Sequence, residues 1–237
     1  MKTLYRMATL ISVLGLLSAC GKDGTVSLQF LNSTARSVTH TTDALRATES
    51  APTEFKMKLI AAYLAADIDP DTGTNIGETQ MIYLNPNCTN ISACDISGGT
   101  VDGNVITDII TTYFDFGLSS SEVNANLNAQ GRSVAVGTYK YVRIEFCKAN
   151  TENAENIQWA GGSASGTQSF QRNSCTVNSN EMNPPLVLAE GATATVSLTY
   201  DMSTSVQVGA DAAGDNCTGT GATKTCFTLP TFVPSAS

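Results

Sequence analysis

Apolar and polar positions along this chain alternate with a period of two far more often than they recur at helical spacing. Val26, Leu28 and Phe30 alternate with Ser27 and Gln29, which predicts a first half-buried strand. Residues 32–53 are rich in Ser, Thr and Ala and read as a loop holding at most a weak strand or helical turn. Phe55, Met57 and Leu59 alternate with Lys56 and Lys58 before an apolar run over 59–64. Alanines in that run admit a helix, but the Phe-Lys-Met-Lys-Leu opening favours a strand. The turn formers of 67–73 and the run 80–84 then predict a long-looped hairpin. Residues 105–116, with Ile106, Ile109, Ile110, Tyr113, Phe114 and Phe116, read as one long strand or two short ones.

The best helix lies over 119–130. Ser119 or Ser120 can cap it, Val123 and Leu127 stand four apart, and Gly131 can end it. The clearest half-buried strand follows, with Val142, Ile144 and Phe146 on one face and Tyr141, Arg143 and Glu145 on the other. Residues 148–174 are polar apart from Ile157, Trp159 and Phe170, and Gly161, Gly162 and Gly166 suggest a flexible middle. Further strands are expected over 186–188, 195–200, 206–208 and 226–229, with Pro230 and Pro234 stopping the last. Many short strands separated by turns predict an all-β fold, an Ig-like or prealbumin-like β-sandwich with one short helix near 119–130.

Composition points the same way. Charged residues are only 14% of the chain, so Ser, Thr, Asn and Gly must form much of the surface, as suits an exported β-protein. There are seven cysteines. With Cys20 set apart for the reason given below, Cys88, Cys94, Cys147, Cys175, Cys217 and Cys226 remain, an even number that predicts disulfides. Six cysteines admit 15 connectivities, and pairing between sequence neighbours (Cys88 with Cys94, Cys147 with Cys175, Cys217 with Cys226) closes the shortest loops. A metal cluster is disfavoured, because no Cys-x-x-Cys pair occurs and His40 is the only histidine.

The first twenty residues carry Lys2 and Arg6, a run of apolar and small residues over 7–17, and then Leu17-Ser18-Ala19-Cys20. The run is too short for the ~20 residues of a spanning helix. This order resembles a bacterial lipoprotein export signal, and Leu-Ser-Ala-Cys resembles its lipobox. The resemblance implies cleavage after residue 19, a diacylglyceryl group on Cys20, and an address at the bacterial outer membrane or cell surface. Gly21 in second place favours outer-membrane sorting. An ordinary secretory signal with an incidental cysteine is the competing reading. The expected organisation is a signal peptide over 1–19, a lipidated terminus and short tether over 20–24, and one sandwich over 25–237, with two small subdomains left open. Because the signal holds two of the 13 basic residues and none of the 21 acids, its removal takes the net charge from −8 to −10. Such a chain should repel nucleic acid, so its expected partners are the membrane, through the lipid, and a protein or glycan ligand.

Gly137-Thr-Tyr-Lys-Tyr-Val-Arg-Ile144, followed by the Gly191 turn and the alternating Thr195-Val-Ser-Leu-Thr-Tyr200-Asp201, resembles a β-sandwich domain of unknown function found in bacterial surface lipoproteins. The likeness spans roughly 134–206. Tyr200-Asp201 replaces the more usual Phe-Asp, and the cysteines lie outside the pattern. It implies a fold and a location, with no catalytic residue.

Three arrangements could carry chemistry. Asp67, Asp69, Asp71 and Glu78 occupy positions one, three, five and twelve of a calcium-loop window. Thr72 stands where that loop needs Gly, and a solvated acidic hairpin loop is the favoured alternative. Tyr141 and Trp159, with Tyr139 and Phe170, could form an aromatic patch for a sugar or protein, although covering a sheet face or core edge is the favoured role. A serine triad lacks a positioned base, since His40 lies in a weakly patterned stretch. Asp108, Asp115, Glu122 and Glu145 could meet as acid pairs only if the fold brings them together. The expectation is therefore a non-enzymatic, lipid-anchored envelope protein with a surface-binding, adhesion or structural role. The alternatives are a calcium-supported carbohydrate-binding module and a hydrolase using acidic residues.

Overall fold

Strand pairing organises the chain in the computed structural model, which describes residues 23–34, 47–69, 74–148, 154–172 and 174–237. The fold is an all-β sandwich with one short helix. Its first strand, Gly24–Asn32, lies inside a sheet ordered Arg132–Val134, Gly24–Asn32, Thr193–Tyr200, Val233–Ala236. Gly24–Asn32 and Thr193–Tyr200 run parallel over eight paired positions, from Thr25↔Thr193 to Asn32↔Tyr200. Parallel neighbours need a long crossover, and here most of the chain supplies it. A second sheet is ordered Thr176–Asn178, Tyr141–Glu145, Ala61–Ile68, Asn75–Leu84. A third is ordered Phe114–Asp115, Glu54–Met57, Ile157–Ala160, Gln168–Phe170, and a fourth Thr48–Ser50, Val206–Val208, Thr225–Phe227, Asn216–Thr218.

Inward residues of these sheets share one large core. Val26, Leu28 and Phe30 meet Val196, Leu198, Leu64, Val142 and Ile144, as the alternation predicted. Aromatic rings extend it: Phe30 packs edge-on against Phe116 at 5.1 Å between centroids, and Trp159 stacks on Phe227 at 5.6 Å. Edge-to-face and offset stacked pairs are the arrangements that ring quadrupoles favour.

The helix is Ser120–Leu127, with Ser119 as its cap. Ser119 and Glu122 form a reciprocal capping box, while Val123 and Leu127 turn inward. It ends at Asn128 in the left-handed region, three residues before the expected Gly131, because asparagine tolerates that conformation. Its side chains also occupy the edge of the first strand. Asn124 accepts from the Phe30 N–H and donates to the Phe30 carbonyl, both at 2.8 Å, and the Ser120 hydroxyl accepts from the Asn32 N–H. An open strand edge is thereby paired by side chains.

Other segments depart from the sequence reading. Residues 105–116 form three short pieces, Asn104–Ile106, Asp108–Ile109 and Phe114–Asp115, with Val105 and Ile109 exposed. The supposed flexible middle is a hairpin, Ile157–Ala160 with Gln168–Phe170. Gly162 there adopts φ +58°, and a Cβ on it would lie 2.6 Å from the Val208 side chain, so its glycine serves a close approach. Pro234 does not stop the chain but sits within Val233–Ala236, an edge strand, where a missing N–H is tolerated.

Candidate functional site

The strand Tyr141–Glu145 has two differently covered faces. Val142 and Ile144 enter the large core, as do Ala62 and Leu64 of the neighbouring strand. On the opposite face a second, small core gathers Ile60, Ala61, Cys88, Cys94, Ile96, Ile110 and Cys147, with Tyr63 and Met81 packed against it. Residues 85–113 cover this face. They contain the parallel pair Cys94–Asp95 with Asp108–Ile109 and the hairpin Gly99–Val101 with Asn104–Ile106.

Two disulfides border the small core, Cys88–Cys94 inside this layer and Cys147–Cys175 on the sheet side, with Cα separations of 5.4 and 4.7 Å. The third bond, Cys217–Cys226, joins directly opposed residues of a strand pair. Local pairing is therefore what the fold adopts at all six positions. Buried polar groups complete the attachment. Asp95 Oδ1 accepts from the N–H groups of Ile96 and Lys148, while Lys148 Nζ donates to the carbonyls of Ile91 and Ser92. Fully buried Asn85 donates to the Leu59 carbonyl at 2.7 Å.

Beside the Cys147–Cys175 bond this layer leaves a groove of about 610 Å³. Ile91 and Ser92 form one wall, Val101, Asp102 and Asn104 another, and Arg143, Glu145 and Thr176 the sheet side. Burial raises the Glu145 carboxyl above its ordinary range, opposed by a hydrogen bond from Tyr63 and by the charges of Arg143 and Lys148. Burial likewise pushes the Tyr63 phenol up, and the Glu145 charge adds to that. Among the described residues Arg143 forms no ion pair, so its guanidinium supplies donors to the groove while Glu145 supplies a carboxyl. This arrangement can bind a polar group. It contains neither a nucleophile with a base nor a gathered metal-ligand set among the described residues.

The other sequence candidates are dispersed. Trp159 is fully buried, stacks on Phe227 and donates its indole N–H to Asn216 at 3.0 Å, which corrects its reading as a ligand-facing aromatic. It pairs with Phe55 across the third sheet, so its ring follows that strand's inward face. Tyr141 is half-buried, and burial followed by the charges of Glu181 and Asp67 raises its pKa.

The calcium window is also reshaped. Asp67 lies in a strand paired to Ile76, Ile68 pairs with Asn75, and the Asp69 N–H donates to the Thr74 carbonyl. Positions one and twelve thus sit on opposite arms of a hairpin, which replaces the continuous ion-wrapping loop that the spacing suggested. Asp71 lies outside the described residues, as do Cys20 and His40, and Glu78 belongs to Asn75–Leu84. The four carboxylates considered as acid pairs are engaged separately. Asp108 accepts from the Thr89 N–H, which leads in holding its carboxyl low, and Asp115 accepts from Gly117. Glu122 caps the helix, and Glu145 lines the groove. The groove itself escaped the sequence reading. Its only early signal was a charged outer face, Arg143 and Glu145, beside a cysteine.

No protein-family model, curated protein or solved structure matches this chain.

Proposed function

We propose that this chain is a lipid-anchored, non-catalytic protein of the bacterial envelope, placed at the outer membrane or cell surface in a binding, adhesion or structural role. The observation that carries the reading is the use of cysteine. The six cysteines among the described residues pair with one another, which leaves Cys20, at the end of the lipobox-like segment, as the seventh. Disulfides suit an oxidising compartment outside the cytoplasm. The first strand begins at Gly24, so only three residues separate it from the proposed lipid. The Arg143 and Glu145 groove is the surface this reading offers to a polar ligand. The carbohydrate-binding alternative loses Trp159 as a stacking platform.

The test is metabolic labelling with a fatty acid in a bacterial host, with membrane fractionation. The parent is expected to incorporate label and sediment with membranes. Cys20→Ser should lose the label and become soluble, and a parent that takes up no label would refute the anchor.

A further inference from the structure

We infer that the outer face of the two-stranded ribbon Gly137–Tyr139 with Leu186–Leu188 is a membrane-contact surface, the part of the sandwich that rests on the bilayer. This rests on the lipid-anchor reading and says how the anchored domain is oriented. The ribbon is amphipathic by alternation. Leu186 and Leu188 are buried, whereas Pro185, Val187 and Ala189 open outward. Val187 is 71% exposed, the most exposed large apolar residue described, and Val136, just before Gly137, is 49% exposed. Thr138 pairs with Val187, and Gly137 pairs with Leu188, so Val136 joins this outer face. The apolar surface continues into a hollow of about 290 Å³ lined by Pro184, Pro185, Val187, Ala192 and Ala194. Exposed Thr138, opposite Val187, is the polar member of this face, and Glu190 and Lys140 flank the ribbon in sequence.

What selects a bilayer as the occupant is the position of the anchor. Gly24 packs directly on the ribbon: a Cβ there would lie 2.6 Å from the Leu188 side chain, so the first strand enters the fold against this element. Four residue steps from Cys20 to Gly24 span no more than ~14 Å even when fully extended. The lipid is therefore held within that reach of Gly24, the end of the sandwich that carries this ribbon. A patch this small would hold a free protein poorly, but an attached lipid keeps it at high effective concentration beside the membrane. Another exposed valine, Val233, is 50% exposed and pairs with Thr199, at the end of its sheet opposite Thr25 and Thr193. It supplies a matched control at the distal end.

The experiment uses the full lipidated chain reconstituted into zwitterionic phosphatidylcholine and phosphatidylethanolamine vesicles whose acyl chains carry bromine at a shallow position. Single variants Val187→Trp, Val136→Trp and Val233→Trp are compared with the parent. Buried Trp159 gives every sample the same background. Tryptophan at 187 or 136 is expected to be quenched about twofold more than at 233, with a blue-shifted emission. Equal quenching at all three sites in protein that floats with the vesicles would overturn the orientation and leave the anchor standing. So would a concentration-dependent dimer in which Val187→Trp is shielded from bromine by a second copy. A parent that fails to float would remove both the anchor and the contact.

Discussion

The two cores on either side of the strand Tyr141–Glu145 solve the same problem by different means. The large one joins inward residues from all four main sheets around a network of rings that runs from Phe30 through Phe116 and Phe55 to Phe227 and Trp159. The small one has seven buried residues, three of them cysteines; one disulfide closes a loop of its cover, another links two chain segments on its sheet side, and Asp95, Asn85 and Lys148 hold the two together. Where enough apolar surface converges, burial alone supplies the stability. Where it does not, cross-links and buried hydrogen bonds restrict the alternatives open to the chain. The groove lies on the small-core side. That is the side where polar groups remain accessible because packing is incomplete.

Breaking the large core should have the greatest effect. Trp159→Ala removes the stack on Phe227 and leaves Asn216 without its indole donor, at an expected cost of about 3–5 kcal/mol. A thermal melt should show one cooperative transition shifted strongly downward, and an unchanged melt would mean that Trp159 is not the keystone of that side. Removing the Cys147–Cys175 bond by double alanine substitution comes next, at about 3–4 kcal/mol for a loop of sequence separation 28. Here the comparison predicts a local consequence. Hydrogen exchange should accelerate in residues 85–113 and 146–148, while Gly24–Asn32 and Thr193–Tyr200 stay protected. Equal acceleration in both regions would show that the two cores unfold as one unit.

The smallest effect concerns Glu145. Burial raises its folded-state pKa above the ordinary value of 4.5, so the folded protein binds a proton more tightly than the unfolded chain does. Its contribution to stability is therefore full below about 4.5 and is lost as pH rises toward the raised value. Glu145→Gln keeps an acceptor for the Tyr63 hydroxyl and removes the titration. The variant should match the parent in acid, exceed it modestly at neutral pH, and show a flatter dependence of melting temperature on pH. A variant that is less stable than the parent at neutral pH would mean that the Glu145 charge, in the field of Arg143 and Lys148, supports the small core.

Much of this was legible along the chain. Val26, Leu28 and Phe30 announced a half-buried strand because side-chain direction in a strand has a period of two whatever the neighbours are. Ser119 or Ser120 announced the start of the helix because N-capping is local chemistry, and the capping box with Glu122 selects Ser119. The cysteine pairs were readable because each closes a comparatively short loop. The hairpin around Trp159 was not, since its few apolar residues sit among glycines and polar residues whose close packing on Val208 depends on a strand 46 residues away.

For the strand Tyr141–Glu145, alternation by itself determined that Val142 and Ile144 would share one face and Arg143 and Glu145 the other. It could not say what would lie against the second face. Only the tertiary structure brought residues 85–113 across it and left a groove beside the Cys147–Cys175 bond. The reason is physical: a local pattern dictates which way a side chain points, but burial is decided by whatever segment finds that face most favourable to cover.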